Sequence, residues 1–330
     1  MEKRLKALGT LVVRYRLIVM LAGVVIFGAF TLDDFLTLTT LQSVLDRAAV
    51  VGFLALGLTP ILIAGQIDLS IGSIMSLAAY AAIALQPEVG SLPAALIGLG
   101  VGVVAGAINA VIVVALKVTS LVATLATLLI GASLALLISN GQPVSSSDPL
   151  FGLFLTDSFL EFLTPRAALF IAAALVMFVW LKATPSGRNL YAVGSNLSAA
   201  VAAGINVNAY IAGIFVLSGF CAGAAGVIQA LSSATGSPLA GSVLLIPAIT
   251  AVVIGGTRLE GGRGSSLATL GGVVALGALT TLSEYNGVPS YTQAVYTGLI
   301  LILLITLDRV AGGNDRRTTR TLRSAAAKQT

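Results

Sequence analysis

Histidine is absent from this 330-residue chain, cysteine occurs once, and charged residues make up only 9% of it. The missing imidazole removes the commonest zinc ligand and the usual proton-shuttling side chain. A lone Cys221, set between Gly219 and Gly223, closes no disulfide within the chain and reads as small packing filler. No lysine follows a glycine, so the Gly-Lys-Ser/Thr pattern of phosphate-binding loops does not occur, and the chain does not hydrolyse ATP by that route. Nor is there a cluster of carboxylates, or a nucleophile with a base, of the kind a membrane-embedded enzyme requires.

What is present is apolar. Hydrophobic residues reach 57% and mean hydropathy is +1.02, against about 45–50% apolar and about 25% charged in soluble domains. Lipid offers the backbone no hydrogen-bond partners, so each crossing needs a helix of about 20 apolar residues. The runs 17–32, 48–64, 69–85, 94–116, 121–139, 167–181, 209–231, 243–256, 267–283 and 291–307 predict an all-α polytopic membrane protein of about ten transmembrane helices, some broken or re-entrant. The first run lacks a small-residue cleavage site and is read as a retained span. Gly98, Gly102 and Gly106 recur every four residues and predict a close helix contact.

The net charge of +5 suggests no nucleic-acid partner once mapped, because the positive residues cluster near span ends and in the tails. Lys3, Arg4, Lys6, Arg14 and Arg16 precede the first run, and Arg309, Arg316, Arg317, Arg320, Arg323 and Lys328 follow the last. An even number of crossings puts both termini in the cytoplasm, dividing the chain into a basic N-terminus (1–16), a transmembrane domain (17–308) with a cytoplasmic loop at 182–208, and a basic tail (309–330). Arg47 and Arg166 depart from this pattern, falling outside beside acidic residues.

Three segments are unusual for plain spans. In Gly65–Ser73, Asp68 interrupts a long apolar stretch; it can cap the next helix, or a broken backbone and a charge there can line a solute path. The segment 255–265 repeats the spacing Gly, three residues, Leu, two residues, Gly found at Gly65, Leu69 and Gly72, a faint sign of an internal repeat. In Pro185–Val207, Ser195 or Asn196 can cap a short helix that Gly204 stops in a left-handed turn.

These segments, together with 140–144, strongly resemble the ribose/xylose/galactose-type permeases of bacterial ABC importers from about Thr39 to Arg309. The resemblance implies a multi-pass permease of the bacterial inner membrane that works as a pair of chains, a homodimer, with a cytoplasmic ATPase and a periplasmic sugar-binding protein, in contact with membrane lipid. ATP and Mg would be bound by the ATPase, and this chain would hold no cofactor. It also implies a cytoplasmic coupling helix of the pattern Glu-Ala-Ala, three residues, Gly; Ser198, Ala199, Ala200 and Gly204 match all but the Glu. The residues expected to couple to the ATPase are Gly187, Arg188, Gly194, Asn196, Ala199, Ala200 and Gly204. Polarity in apolar surroundings nominates Asp68, Ser70, Asn109, Asn140 and Gln142 for the path of a monosaccharide or polyol. A secondary transporter or channel for a small polar solute is the alternative, suggested by the broken helices and the repeat. It would need coupling groups in the membrane, where the chain has no histidine and few carboxylates.

Overall fold

A computed structural model describes residues 2–32 and 35–307, so the basic tail 309–330 lies outside the described residues. The chain is almost wholly helical: α1 (Glu2–Thr31), α2 (Leu38–Ile63), α3 (Ile71–Ala84), α4 (Gln86–Val89), α5 (Ser91–Ala110, continued by a wider turn over Val111–Ala115), α6 (Ser120–Ser139), α7 (Pro165–Ala183), α8 (Pro185–Ser195), α9 (Leu197–Ala202), α10 (Val207–Ser232), α11 (Leu245–Ile254) and α12 (Ser266–Tyr285), then α13 (Ser290–Leu307). α1 is broken at Tyr15, whose φ of −112° and ψ of 15° are not helical, leaving an apolar helix of 17 residues after the basic start.

Local chemistry sets the ends. The Thr37, Thr164, Thr184, Asn196 and Asn206 side chains accept from backbone N–H groups three residues on, at the starts of α2, α7, α8, α9 and α10, and Pro165 and Pro185 occupy first-turn positions that need no donor. At the other ends, α2 and α11 finish in the same motif. Gly65 N bonds Leu62 O and Gln66 N bonds Ile61 O; Gly256 N bonds Val253 O and Thr257 N bonds Val252 O. Both glycines have positive φ, +71° and +94°, as this double closure requires. The backbone therefore equates Gly65 with Gly256, one residue out of step with the spacing read from sequence.

Every apolar run falls on a helix, but the helices are unequal. Among the described residues seven helices are long and apolar enough to cross a membrane, and Tyr15–Thr31, Ile71–Ala84 and Leu245–Ile254 are shorter. At about 1.5 Å per residue α3 and α11 reach only about 21 and 15 Å, short of a hydrocarbon layer of about 30 Å. Non-helical backbone at 64–70 and 233–244 makes up the remainder. Such backbone survives at membrane depth only inside protein, and α3 meets the second segment and the start of α11 there: a Cβ on Gly72 would sit 2.9 Å from Gly241 O and 3.5 Å from Leu245 Cβ, and Gly241 N donates to Ser76 Oγ at 3.0 Å. Above this crossing a two-residue antiparallel pair, β1 (Val144–Ser145) with β2 (Thr235–Gly236), ties the α6–α7 connection to the α10–α11 connection.

α2 and α10 form the centre, with 83% of the best apolar window of α2 buried against 6% for α13 on the periphery. The glycine stripe of α5 meets α10 as predicted: Cβ atoms on Gly102 and Gly106 would fall 2.4 Å from Gly219 O and Phe215 O. Arg47 and Arg166 are explained by pairing. Arg47 donates to Glu284 at 2.6 Å, linking α2 to α12, and Arg166 pairs with Asp46 at 2.7 Å, where the Thr164 hydroxyl also donates to Asp46. The Arg47–Glu284 pair is more than a third exposed, so Glu284→Gln is expected to cost at most about 1 kcal/mol. Asp46→Ala leaves the better-buried Arg166 unpaired and is expected to cost roughly 2–3 kcal/mol, read as a lower unfolding temperature in detergent.

Candidate translocation and coupling sites

Asp68 is fully buried beside the crossing of the half-helices. Its carboxylate accepts from Ser70 N at 3.0 Å, from Ser70 Oγ at 2.6 Å and from Ser218 Oγ of α10 at 2.7 Å. Ser70 Oγ in turn accepts from Asn109 Nδ2 of α5 at 2.7 Å, and Asn109 Oδ1 accepts from Thr127 of α6 at 2.8 Å. Every proton in this series of bonds points toward the carboxylate, so each bond polarises the next. Ser120 Oγ accepts from Ile67 N at 3.2 Å, and Thr124 Oγ1 donates to Ile67 O at 3.4 Å, holding the neighbouring backbone against α6.

Of the residues nominated from sequence, Asp68, Ser70 and Asn109 are thus brought together. Asn140 and Gln142 are not: both are exposed at the far end of α6, about 30 Å along the helix from Ser120 at 1.5 Å per residue. Asn140 has φ +50° and, with Gly141, closes the end of α6, a structural task that accounts for its position. The capping role considered for Asp68 is also corrected. Ser70 stands at the cap of α3 and makes no side-chain cap bond, while Asp68 closes a turn onto Ser70 N two residues on. Sequence reasoning missed Ser218 and Thr127. A hydroxyl in an apolar helix is ordinary span composition, and the only signal was Ser218 lying beside Gly219 on the small-residue face of α10.

The second site gathers the end of α2 and the loop after α11 beneath α8. Gly262 N donates to Ile63 O at 2.8 Å, and a Cβ on Gly194 would fall 1.8 Å from Ile63 O and 2.9 Å from Gly262 N, so only glycine lets α8 seat here. Tyr191 donates to Gly264 O at 2.8 Å; burial pushes its phenol above the ordinary value, so it stays a neutral donor. Arg16 Nε donates to Ile254 O at 3.1 Å, a cation at the negative end of α11.

Pro185–Ser195 forms a helix of its own, distinct from α9, although the sequence suggested a single short helix in this loop. Gly187 packs against the carbonyls of Trp180 and Leu181, and Arg188 faces outward. Asn196 is the cap of α9, its side chain accepting from Ala199 N at 3.0 Å; Ala200 is buried, and Gly204 ends the helix with φ +77°. Leu197 and Val201 of α9 remain exposed. The three segments singled out from sequence therefore form one contiguous assembly, from α9 through α8 to the break that carries Asp68.

A many-helix bundle with half-helices meeting over a buried polar chain, and a helical pair bolted beneath it, has the build of a transport permease. Residues 40–304 match the family model described as the branched-chain amino acid transport system / permease component, and the chain belongs to that family. It is a multi-pass protein of the inner membrane. The ribose import permease protein RbsC of Escherichia coli is 34% identical over 282 residues, 83% of this chain and 87% of that one. The galactofuranose transporter permease protein YtfT of Escherichia coli is 37% identical over 267 residues, covering 79% and 77%. The autoinducer 2 import system permease protein LsrD, also of Escherichia coli, is 32% identical over 263 residues, covering 77% and 79%. No solved structure matches the chain.

Proposed function

We propose that the chain is the membrane-spanning subunit of an ATP-binding-cassette importer that carries a monosaccharide or related polyol across the bacterial inner membrane. The relatives are named for ribose, galactofuranose and autoinducer 2 import, which supports a small polyhydroxylated solute over the amino acids of the family's description. The observation that carries the reading is the seat of Gly194 on Ile63 and Gly262, which joins a helical pair fit for docking to both broken segments at once. In this reading the chain makes ten passes with both termini cytoplasmic, flanked by the basic segments 1–16 and 309–330. It works as a homodimer with a cytoplasmic ATPase, which holds ATP and Mg, and a periplasmic binding protein.

ATP-driven closure of the ATPase moves α8 and α9 through Gly187, Arg188, Gly194, Asn196, Ala199, Ala200 and Gly204. Because α8 rests on the end of α2 and the loop after α11, the motion reaches 64–70 and shifts the equilibrium between outward and inward access; ATP acts by favouring one state. Asp68, Ser70 and Asn109, joined by Ser218 and Thr127, form a hydrogen-bonding network in a membrane region otherwise nearly free of ionisable residues, which suits an uncharged polyol. Asn140 and Gln142 then stand at the mouth rather than in this core. Ala199→Trp, at an exposed position of α9, is expected to leave the permease folded and inserted but cut ATP-dependent uptake of labelled pentoses or hexoses at least tenfold, with ATP hydrolysis continuing. Unchanged uptake would remove the coupling role. Solute flux by the chain alone, without its ATPase, would replace the importer with the secondary transporter or channel.

A further inference from the structure

Beside the seat of α8 lies a cavity of about 400 Å³ lined by Lys182, Arg188, Tyr191, Arg263, Leu181 and the 262–264 backbone. Its cations come from three elements: the last turn of α7, α8, and the loop after α11. Among the described residues none of the three is ion-paired. The nearest acid in sequence, Glu260, already has a partner of its own. Tyr191 is held neutral by burial and spends its proton on Gly264 O, so it adds no negative charge and fixes the loop bearing Arg263 to the helix bearing Arg188. Three exposed positive charges without acidic partners, gathered around one open cavity of small-ligand size (about 300–1,000 Å³), favour an anion there.

The surroundings say which kind. The cavity opens at the end of α7, a helix of membrane-crossing length whose Leu175, Val176 and Val179 are exposed and face what would be acyl chains. The Lys182 ammonium lies over the Phe178 ring, 5.9 Å from its centre, so a charge and an apolar surface adjoin at the end of α7. A soluble anion or a carboxylate of a docked protein would use the charges and leave the adjoining apolar strip uncovered; a phospholipid uses both. We infer that this cavity binds the headgroup of an anionic phospholipid, with its chains along α7. The inference rests on the membrane reading of the fold; it shares Arg188 with the proposed coupling set but not Lys182 or Arg263, so Lys182→Gln lets the two fail separately.

The test measures lipid selectivity of the full-length chain in vesicles with spin-labelled phosphatidylglycerol against spin-labelled phosphatidylcholine, and by native mass spectrometry of co-purified lipid. The wild-type chain should prefer phosphatidylglycerol, and raising salt from about 0.05 to about 0.5 M should abolish the preference. The variant combining Lys182→Gln, Arg188→Gln and Arg263→Gln should retain at least about tenfold less anionic lipid. The single Lys182→Gln, at the exposed rim, gives the same readout with a smaller loss and little demand on folding. Equal retention of both lipids by the wild-type chain overturns the inference. So does a triple variant that keeps its anionic lipid but no longer binds its ATPase, which would assign the charges to the protein partner.

Discussion

Gly102→Leu is expected to abolish recovery of folded protein, whereas Gly100→Ala on the same helix should change stability by no more than about 1 kcal/mol. A Cβ at position 102 falls 2.4 Å from Gly219 O and 2.8 Å from Gly223 Cα, both backbone atoms that cannot rotate aside, while one at position 100 meets nothing within 4 Å. The only relief is to push α5 away from α10, which breaks the close packing that holds helices together in lipid and also separates Asn109 from Ser70. Overpacking and lost contacts together put the cost above about 4 kcal/mol. A monodisperse Gly102→Leu protein with an unfolding temperature within a few degrees of wild type would show that the crossing is looser than described.

The second large effect belongs to Asp68. Asp68→Ala leaves Ser70 N, Ser70 Oγ and Ser218 Oγ as buried donors without an acceptor, at about 1–3 kcal/mol each. The sum is enough to detach 64–70 from α10 and prevent folding. Asp68→Asn keeps one oxygen for Ser70, and the Ser218 hydroxyl can turn to accept from the new amide. That variant should fold, unfold a few degrees lower because charge-assisted bonds become neutral ones, and transport more slowly in reconstituted vesicles. Full uptake by Asp68→Asn would remove any role for the charge, and a stable Asp68→Ala would remove the network as a folding element.

Much of this was legible because lipid imposes simple rules. Apolar runs had to become helices, and the glycine stripe of α5 had to meet another backbone. Asp68, Ser70 and Asn109 were visible as polar groups that an apolar run must have a reason to carry. A break at Gly65–Ser73 was legible from its glycines and Asp68, but the break at 233–244 and the shortness of α3 and α11 were not, because the stretches that replace helix at 64–70 and 233–244 contain Ile67, Leu69, Leu239 and Val243, and hydropathy does not distinguish an apolar helix from apolar extended chain packed inside protein. Asn140 misled for a related reason: a side chain that tolerates a left-handed turn is also a good solute ligand, and only its φ of +50° separates the two. α8 was obscured by Gly187 and Gly194, poor helix formers whose value is their lack of a side chain against Trp180, Leu181 and Ile63.

The bond from Ser218 to Asp68 spans 150 residues of chain. At about 5–20 residues per second, a ribosome finishes Ser218 roughly 8–30 s after Asp68. Throughout that interval the carboxylate has only its own neighbour Ser70, backed in turn by the Asn109 amide and the Thr127 hydroxyl, and α3 is too short to be committed to the bilayer by itself. The nascent chain must therefore shelter an incompletely bonded acid at the membrane, within the insertion machinery or in water, until α10 emerges. A truncation ending before Ser218 should be degraded by quality-control proteases faster than one ending after Ser232.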